Sequence, residues 1–278
     1  MLKEYCISDR TFRKISQLVY NSIGIKLKKN KKAMLKSRLI GRLIELDLEN
    51  FDQYYKFLIN SKEEFDNLIN FVTTNVTSFF REDHHFDYLI SKVLPELEAN
   101  KDTKKIRCWS AGCSSGEEAY SIAIVLSEYF DGQDWDFKIL ATDINKEVLY
   151  KACEGVYSKE ELKGVSEAII NKYFKLIKKN NKVYFKIRKN LREKIVFKKV
   201  NLKPGSYYPI KSKLDFIFCR NVFIYFDHHT RKKISNKFYK LLREGGYLFL
   251  GNSDTMFAID SFDKKWRVAN ITTYQKLD

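Results

Sequence analysis

The stretch that decides the fold is IRCWSAGCSSGEE, which spans residues 106–118. Its first part, Ile106–Trp109, favours a buried strand, and a helical pattern of apolar residues follows over Glu117–Phe130. The glycines between them, Gly112 and Gly116, allow a sharp turn and a close approach of a ligand to the backbone. A helix N-terminus also presents free N–H groups. The stretch therefore predicts a cofactor-binding loop between a strand and a helix.

The acidic pair Glu117-Glu118 narrows the class of cofactor. The loop is not a GxGxxG fingerprint, and two acids in the first helical turn would repel a pyrophosphate. They suit a cofactor that carries an ammonium or sulfonium charge. The loop thus disfavours NAD, although both acids are also compatible with simple stabilisation of the helix N-terminus.

Strands alternate with helices beyond this loop, and this pattern predicts a parallel sheet with crossover connections, an α/β fold. The predicted strands are Ile106–Trp109, Phe137–Thr142, Ile195–Val200, Leu214–Cys219, Tyr247–Gly251 and a closing strand, Val268–Lys276. Val183–Ile187, preceded by Asn180-Asn181, indicates a β-hairpin inserted between the second and third strands.

Polar residues follow several of these strands where each one ends. Asp143 follows the second strand, where a doubly wound fold places a carboxylate that accepts hydrogen bonds from ribose hydroxyls. Capping of the next helix is an equally good interpretation of Asp143 alone. Asn201-Leu202 and Arg220-Asn221 follow the third and fourth strands. Because open α/β sheets bind ligands outside the carboxyl ends of their strands, all these residues are expected to face one crevice.

The first seventy residues are predicted to be helical. Ser8-Asp9 offer an N-cap, and the residues Phe12, Ile15, Val19 and Ile23 recur at helical intervals before Gly24. A second apolar stripe consists of Leu35, Leu39, Leu43 and Leu46. We expect a small all-helical domain over residues 1–70 and an α/β domain over residues 71–278.

Charge and composition limit the classes of protein. The net charge is +16, and residues 10–44 contain eleven Lys or Arg and no acid, so a basic amphipathic helix and an acidic partner are expected. No apolar stretch approaches the length of a membrane span and no signal peptide is evident, so a cytoplasmic protein is predicted. The five cysteines are scattered and form no CxxC pair, so neither disulfides nor a zinc site is predicted. The histidines form two adjacent pairs, His84-His85 and His228-His229, which do not predict a metal site.

Two further segments complete the pattern: TTNVTSFFR at residues 73–81 and FCRNVFIYFD at residues 218–227. Together with Ala111–Ser121 and Ala141–Asn145, they resemble the CheR family of chemotaxis receptor methyltransferases, which esterify glutamate side chains on chemoreceptors with S-adenosylmethionine. The resemblance covers nearly the whole chain. It implies a class I methyltransferase with a Rossmann-like doubly wound sheet, a helical N-terminal domain, and a small β-subdomain inserted at about residues 156–194.

The resemblance also implies roles for individual residues. Asn75, Thr77 and Arg81 are expected at the methionine end of S-adenosylmethionine, and Glu117 near its amino group. Asp143 is expected at the ribose, Asn201 and Leu202 beside the adenine, and Gly112, Arg220 and Asn221 along the site. The product S-adenosylhomocysteine is expected to bind the same residues.

The acceptor side follows from the chemistry of the transfer. Because a glutamate carboxylate is ionised near pH 7, neither a strong base nor a metal is required. Arg81 is predicted to hold that carboxylate and Tyr225 to orient it. Taken alone, Arg81 suits pairing with Asp83, and Tyr225 suits the apolar core.

The expected partner is the acidic cytoplasmic helical bundle of a chemoreceptor, and the inserted β-subdomain docks a receptor's C-terminal peptide in some members of the family. Two rival functions share the same composition. One is methylation of nucleic acid, which the positive charge would also suit. The other is a non-catalytic signalling module that binds the cofactor as a sensor. Neither is preferred, since no aromatic base-flipping motif is evident and the predicted reactive residues are all present.

Overall fold

The computed structural model describes residues 5–254 and 265–277. Its α-helices are α1 (Asp9–Ile23), α2 (Lys32–Glu45), α3 (Phe51–Asn60), α4 (Lys62–Val72), α5 (His84–Tyr88), α6 (Leu94–Asn100), α7 (Glu117–Tyr129), α8 (Lys146–Glu154), α9 (Glu167–Tyr173), α10 (Lys189–Arg192) and α11 (His228–Leu241). Its strands are β1 (Lys105–Ala111), β2 (Asp136–Asp143), β3 (Val156–Tyr157), β4 (Phe174–Lys179), β5 (Lys182–Ile187), β6 (Ile195–Lys199), β7 (Leu214–Cys219), β8 (Leu242–Leu250), β9 (Trp266–Asn270) and β10 (Thr273–Lys276).

The main sheet has seven strands in the order β6-β2-β1-β7-β8-β10-β9. The pairs among β6, β2, β1, β7 and β8 are parallel, whereas β10 pairs antiparallel with both β8 and β9. From β1, the middle of the five parallel strands, the chain first adds β2 and β6 on one side and then crosses to β7 on the other. The predicted doubly wound sheet is confirmed, with its topological switch point between β1 and β7.

The closing strand was predicted wrongly as one piece over Val268–Lys276. The structure has two antiparallel strands, β9 and β10, that meet at a tight turn. Thr272 adopts a left-handed conformation there, with a φ of +46°, and Ile271 beside it is exposed. A run of β-branched residues is compatible with a strand at every position, so the sequence pattern does not reveal the turn between β9 and β10.

A second sheet lies between β2 and β6 in the sequence. It contains β3, β5 and β4 in antiparallel order. The β4–β5 hairpin turns at Asn180 and Asn181, whose φ angles are +50° and +57°. Asparagine tolerates this conformation, which the two central residues of a type I′ turn require. The predicted hairpin is therefore confirmed.

The N-terminal helices share a hydrophobic core with the main sheet. The predicted cap of α1 is confirmed, because the Ser8 hydroxyl accepts a hydrogen bond from the Thr11 N–H at 3.0 Å and Gly24 ends the helix with a φ of +77°. Buried residues of α1 and α2, such as Ile15 and Leu39, belong to the same cluster as Trp109 on β1. The helical region is thus fixed against one face of the sheet. Among the described residues, no helix is both long and apolar enough to cross a membrane.

The basic run is only partly a solvent-facing surface. Arg38 donates to the carbonyl oxygens of Phe71 and Thr73 at the end of α4. The guanidinium of Arg42 binds the carboxylate of Glu64, which is 1% exposed, at 2.7 Å. Both arginines therefore join helices within the N-terminal region. Seven cations of the run are exposed: Arg10, Arg13 and Lys14 on α1, and Lys26, Lys28, Lys29 and Lys31 in the loop before α2.

We predict that Arg42→Met destabilises the N-terminal helices. Glu64 would lose its cation and remain buried beside the hydroxyl of Tyr54, which lies 3.0 Å away. Breaking a fully buried pair costs about 3–5 kcal/mol, and the partial exposure of Arg42 reduces this to about 2–3 kcal/mol. Chemical denaturation measures the change in the free energy of unfolding. The exposed Lys31→Met variant is the control, and equal stability of the two variants would contradict the prediction.

Candidate functional site

A cleft of about 280 Å³ lies at the carboxyl ends of the parallel strands. The loops after β1, β2, β6 and β7 line it, together with the linker between α4 and α5 and the end of α1. Most of the predicted residues are among its lining residues: Asn75, Thr77, Arg81, Gly112, Asp143, Asn201, Leu202, Arg220, Asn221 and Tyr225. The structure thus brings together side chains that are up to 150 residues apart in sequence.

The loop after β1 depends on Gly112. This residue has a φ of +96°, and an added Cβ would lie 2.4 Å from Cγ2 of Val222. The N–H groups of Gly112 and Cys113 both donate to the carbonyl oxygen of Thr142, at 2.7 and 2.9 Å. Glycine is therefore required here, because any side chain would push β1 and β7 apart at the floor of the cleft.

Asp143 presents a carboxylate in the cleft after β2. It accepts hydrogen bonds from the backbone N–H groups of Ser114 at 2.9 Å and Asn145 at 3.0 Å. Burial raises the pKa of Asp143, and these N–H donors oppose the shift. A carboxylate has about four acceptor positions, and the backbone donors, which include the N–H of Ile144, leave room for a hydroxyl group of a ligand. The arrangement suits a ribose diol.

Glu118 and Arg220 form a buried ion pair in the wall of the cleft. Oε2 of Glu118 accepts from Nε of Arg220 at 2.7 Å, and its Oε1 accepts from the hydroxyl of Ser110 at 2.6 Å. The guanidinium lies over the rings of Phe86 and Phe218, each centroid 5.4 Å away. The two charges are held by several elements, which fixes their orientation toward a ligand.

Glu117 does not line the cleft, contrary to the expectation that it lies near the amino group of a cofactor. Its carboxylate accepts from the hydroxyl of Ser115 at 2.8 Å, and it is buried on the side of Lys151 and Tyr157. Adjacent residues on a helix point about 100° apart, so only one acid of the pair can face the cleft. That acid is Glu118. The sequence signalled an acidic pair but not the rotation of α7.

The linker between α4 and α5 closes one side of the cleft. The hydroxyl of Ser114 donates to the carbonyl oxygen of Asn75 at 2.9 Å. The hydroxyl of Tyr225 donates to the carbonyl oxygen of Thr74 at 3.3 Å. Arg81 donates to the carbonyl oxygen of Val76 at 2.9 Å, and its other N–H groups have no acceptor within the described residues. Arg81 and Tyr225 are half-buried, so both reach the cleft and the solvent.

The loop after β6 supplies apolar surface. The amide of Asn201 is engaged by the protein, since it donates to the Ser22 carbonyl at 2.8 Å and accepts from the Lys203 N–H at 2.9 Å. Leu202 beside it is buried, and Ile23 and Ile25 from the end of α1 lie on the same cleft. The apolar residues around Asn201 suit a flat aromatic ring.

The sequence did not predict that the isoleucines at the end of α1 line the cleft. Ile23 matches the pattern of a core helix and Ile25 follows the Gly24 that ends it, and periodicity cannot show that the core they join includes a ligand cleft. Asn221 also has a structural task. Its φ is +58°, its N–H donates to Asp254 at 2.5 Å, and its amide donates to Glu82 at 3.3 Å.

The order of the strands arranges these features along the crevice. Because the sheet runs β6-β2-β1-β7, the apolar surface at Leu202 comes first, then Asp143, then Gly112, and finally the pair of Glu118 and Arg220. This order matches a molecule with an aromatic base, a ribose and a charged amino-acid end. S-adenosylmethionine has these parts in this order. Within residues 5–254 and 265–277, no cluster of three His, Cys, Asp or Glu side chains is arranged to hold a metal.

Comparisons with known proteins agree with this chemistry. Residues 75–274 match the profile of the CheR methyltransferase SAM binding domain, and residues 10–73 match that of the CheR methyltransferase all-alpha domain. A chemotaxis protein methyltransferase of Borreliella burgdorferi is 40% identical over 257 residues, which cover 90% of this chain and 89% of the relative. One of Escherichia coli is 38% identical over 256 residues, covering 91% and 87%. A probable chemotaxis protein methyltransferase of Rhizobium etli is 38% identical over 267 residues, covering 93% and 96%.

These relatives align with this chain along most of their own length as well as most of its length. The matched SAM binding domain contains all the loops that form the cleft except the end of α1 and the first two residues of the linker. S-adenosylmethionine is therefore the cofactor of this chain. The chain belongs to the CheR methyltransferase family, with its SAM binding domain and its all-alpha domain both present.

Proposed function

We propose that this chain transfers the methyl group of S-adenosylmethionine to glutamate side-chain carboxylates of chemoreceptors, forming methyl esters for chemotactic adaptation. The observation that carries the proposal is the position of Arg81. Its guanidinium lies on the cofactor cleft, is half-buried, and has donors without acceptors among the described residues. A guanidinium in this setting binds a carboxylate through paired N–H groups.

The transfer needs positioning more than acid–base chemistry. Bound S-adenosylmethionine supplies an electrophilic methyl group, and a glutamate carboxylate is ionised at neutral pH. Arg81 holds the acceptor carboxylate and Tyr225 orients it through its hydroxyl. Holding two reactants in line removes much of the entropic part of the barrier.

We assign the cofactor contacts from the order of features along the crevice. Asn201 and Leu202 flank the adenine, and Asp143 accepts hydrogen bonds from the ribose. The amino-acid end meets Asn75, Thr77, Arg81, Glu118 and Arg220. Gly112 and Asn221 shape the floor. S-adenosylhomocysteine retains every one of these contacts, so product inhibition follows.

The exposed lysines before α2 form the docking surface for the receptor. Lys26, Lys28, Lys29 and Lys31 are exposed, and the backbone N–H of Lys26 donates to the carbonyl oxygen of Tyr225 at 3.1 Å. A cationic loop bonded to the rim of the cleft favours an acidic helical bundle as the partner. We place the chain in the cytoplasm, with residues 1–70 as the docking domain, residues 71–278 as the catalytic domain, and the insertion at about 156–194.

The proposed reaction predicts base-labile methylation of a receptor. A chemoreceptor cytoplasmic fragment, prepared with and without its C-terminal peptide, is incubated with S-adenosylmethionine carrying a labelled methyl group. We expect label on the protein that mild base releases as methanol, because carboxyl esters hydrolyse readily. RNA is the control acceptor. Label on RNA, or base-stable label on the receptor, would contradict glutamate esterification.

The acceptor roles predict separate effects on binding and turnover. Arg81→Gln should lower kcat/KM for the receptor by about 100-fold, the loss of about 2–3 kcal/mol from a charge-assisted interaction. Tyr225→Phe should lower it by about tenfold through the loss of one hydrogen bond. Titration calorimetry with S-adenosylhomocysteine should show an affinity within about threefold of wild type in Tyr225→Phe, where only the acceptor side changes, and a weaker affinity in Arg81→Gln, because Arg81 also lies at the methionine end of the cofactor. Turnover at the wild-type rate in both variants would refute the roles.

Receptor docking predicts a dependence on salt. Changing Lys26, Lys28, Lys29 and Lys31 to Gln should lower kcat/KM for the receptor by about tenfold at low salt. Its decline with rising salt should also become shallower, since screening shortens to about 8 Å at physiological ionic strength. The matched control removes four exposed lysines of the β4–β5 hairpin, Lys175, Lys178, Lys179 and Lys182, and is assayed with the fragment that lacks the C-terminal peptide. Equal effects of the two variants would show that only net charge matters.

A further inference from the structure

His85 is a buried histidine that the proposed reaction does not use. It lies on α5, is 0% exposed, and contacts side chains from three other parts of the chain. Its Nδ1 lies 3.3 Å from a terminal nitrogen of Arg220 and 3.6 Å from Oε2 of Glu82. Its Nε2 lies 2.9 Å from the hydroxyl of Thr272, in the turn between β9 and β10.

The partners of His85 determine which nitrogen carries the proton. A guanidinium has donors and no acceptor, so Nδ1 must be unprotonated to accept from Arg220. The proton is then on Nε2, which donates to the hydroxyl of Thr272 or to the nearby carbonyl of Ile271. Burial and the charge of Arg220 lower the pKa of His85 to about 3, so the ring stays neutral throughout the physiological range.

On the side that faces α5, the guanidinium of Arg220 lies over the ring of Phe86, but few hydrogen bonds other than that of His85 orient it. Its Nε is bound to Glu118, and the same terminal nitrogen that meets His85 also donates to the carbonyl oxygen of Arg81. Glu82 is 3.7 Å away, beyond hydrogen-bond distance. The neutral imidazole of His85 therefore accepts the second hydrogen bond of this Arg220 nitrogen, whose first goes to the carbonyl oxygen of Arg81.

We propose that His85, backed by the hydroxyl of Thr272, is a positioning residue that fixes the guanidinium of Arg220 for cofactor binding. The proposal rests on the assignment of Arg220 to the cofactor's amino-acid end. It extends the site to the β9–β10 turn, which lies outside the cleft. The neutral ring accepts a hydrogen bond without adding a second positive charge beside Arg220.

Two substitutions of His85 separate positioning from packing. In His85→Asn, the amide oxygen stands close to the place of Nδ1 and keeps an acceptor for Arg220. His85→Phe fills the space and removes the acceptor. We expect the affinity for S-adenosylhomocysteine, measured by titration calorimetry on folded protein, to fall about tenfold in His85→Phe and to stay within about threefold in His85→Asn. Equal losses in both variants, or no loss in His85→Phe, would overturn the proposal.

The turn residue supplies a second pair of variants if His85→Phe does not fold. Thr272→Val removes the hydroxyl and keeps the shape, and Thr272→Ser keeps the hydroxyl. We expect about threefold weaker binding of S-adenosylhomocysteine in Thr272→Val and no change in Thr272→Ser. The nitrogen-15 shifts of the His85 ring should show a neutral Nε2–H tautomer from pH 5 to 8 in the wild type. If the His85 ring titrated near pH 6.5, it could not act as the neutral acceptor that positions Arg220.

One more variant separates the positioning role of His85 from the assignment of Arg220 to the cofactor's amino-acid end. Arg220→Gln should weaken binding of S-adenosylhomocysteine by more than tenfold, since it removes the group that His85 positions. If Arg220→Gln binds normally, the assignment of Arg220 itself is wrong. If Arg220→Gln binds S-adenosylhomocysteine weakly and His85→Phe binds it normally, only the positioning role of His85 is wrong.

Discussion

The buried pair of Glu118 and Arg220 is the interaction on which the cofactor site depends. Glu118 follows β1 and Arg220 follows β7, so the pair spans the switch point where the connections of the sheet leave in opposite directions. That divergence opens the crevice, and the pair bridges it between the ends of β1 and β7. Two charges taken from water are tolerated only with further hydrogen bonds. Ser110 supplies one to Glu118, and the carbonyl of Arg81 and the ring of His85 accept from Arg220.

Backbone strain surrounds this pair. Phe80, Glu82 and Asn221 have φ angles of +51°, +54° and +58°, a region that costs a residue with a side chain on the order of 1 kcal/mol or more. The strained segments hold one another, because Glu82 accepts from the amide of Asn221. Their conformations aim the linker that carries Arg81 back over the crevice. These three residues lie where two loops approach the cleft from opposite sides.

Sequence patterns predicted the strands and the strand-end residues because the geometry of a doubly wound sheet brings them to one edge whatever the loops do. The patterns failed where the role of a residue depends on the rotation of a helix about its axis or on contacts with distant parts of the chain. Glu117 and Glu118 are equivalent until the rotation of α7 is fixed. Arg42 looked like part of a basic surface because its partner Glu64 is on another helix, 22 residues away. The closing strand was divided by a turn whose key residue, Thr272, is an ordinary strand former.

The helical domain lines the cleft as well as carrying the exposed cationic loop. Ser22 accepts from the amide of Asn201, the residues Ile23 and Ile25 line the cleft, and the N–H of Lys26 binds the carbonyl of Tyr225. One short segment therefore touches the apolar end of the cofactor cleft, the acceptor rim and the start of the cationic loop. A partner that displaces the loop at Lys26 must also act on Tyr225, because a backbone hydrogen bond joins them. In the proposed reaction, recognition of the receptor and alignment of its carboxylate are therefore coupled through the same few residues.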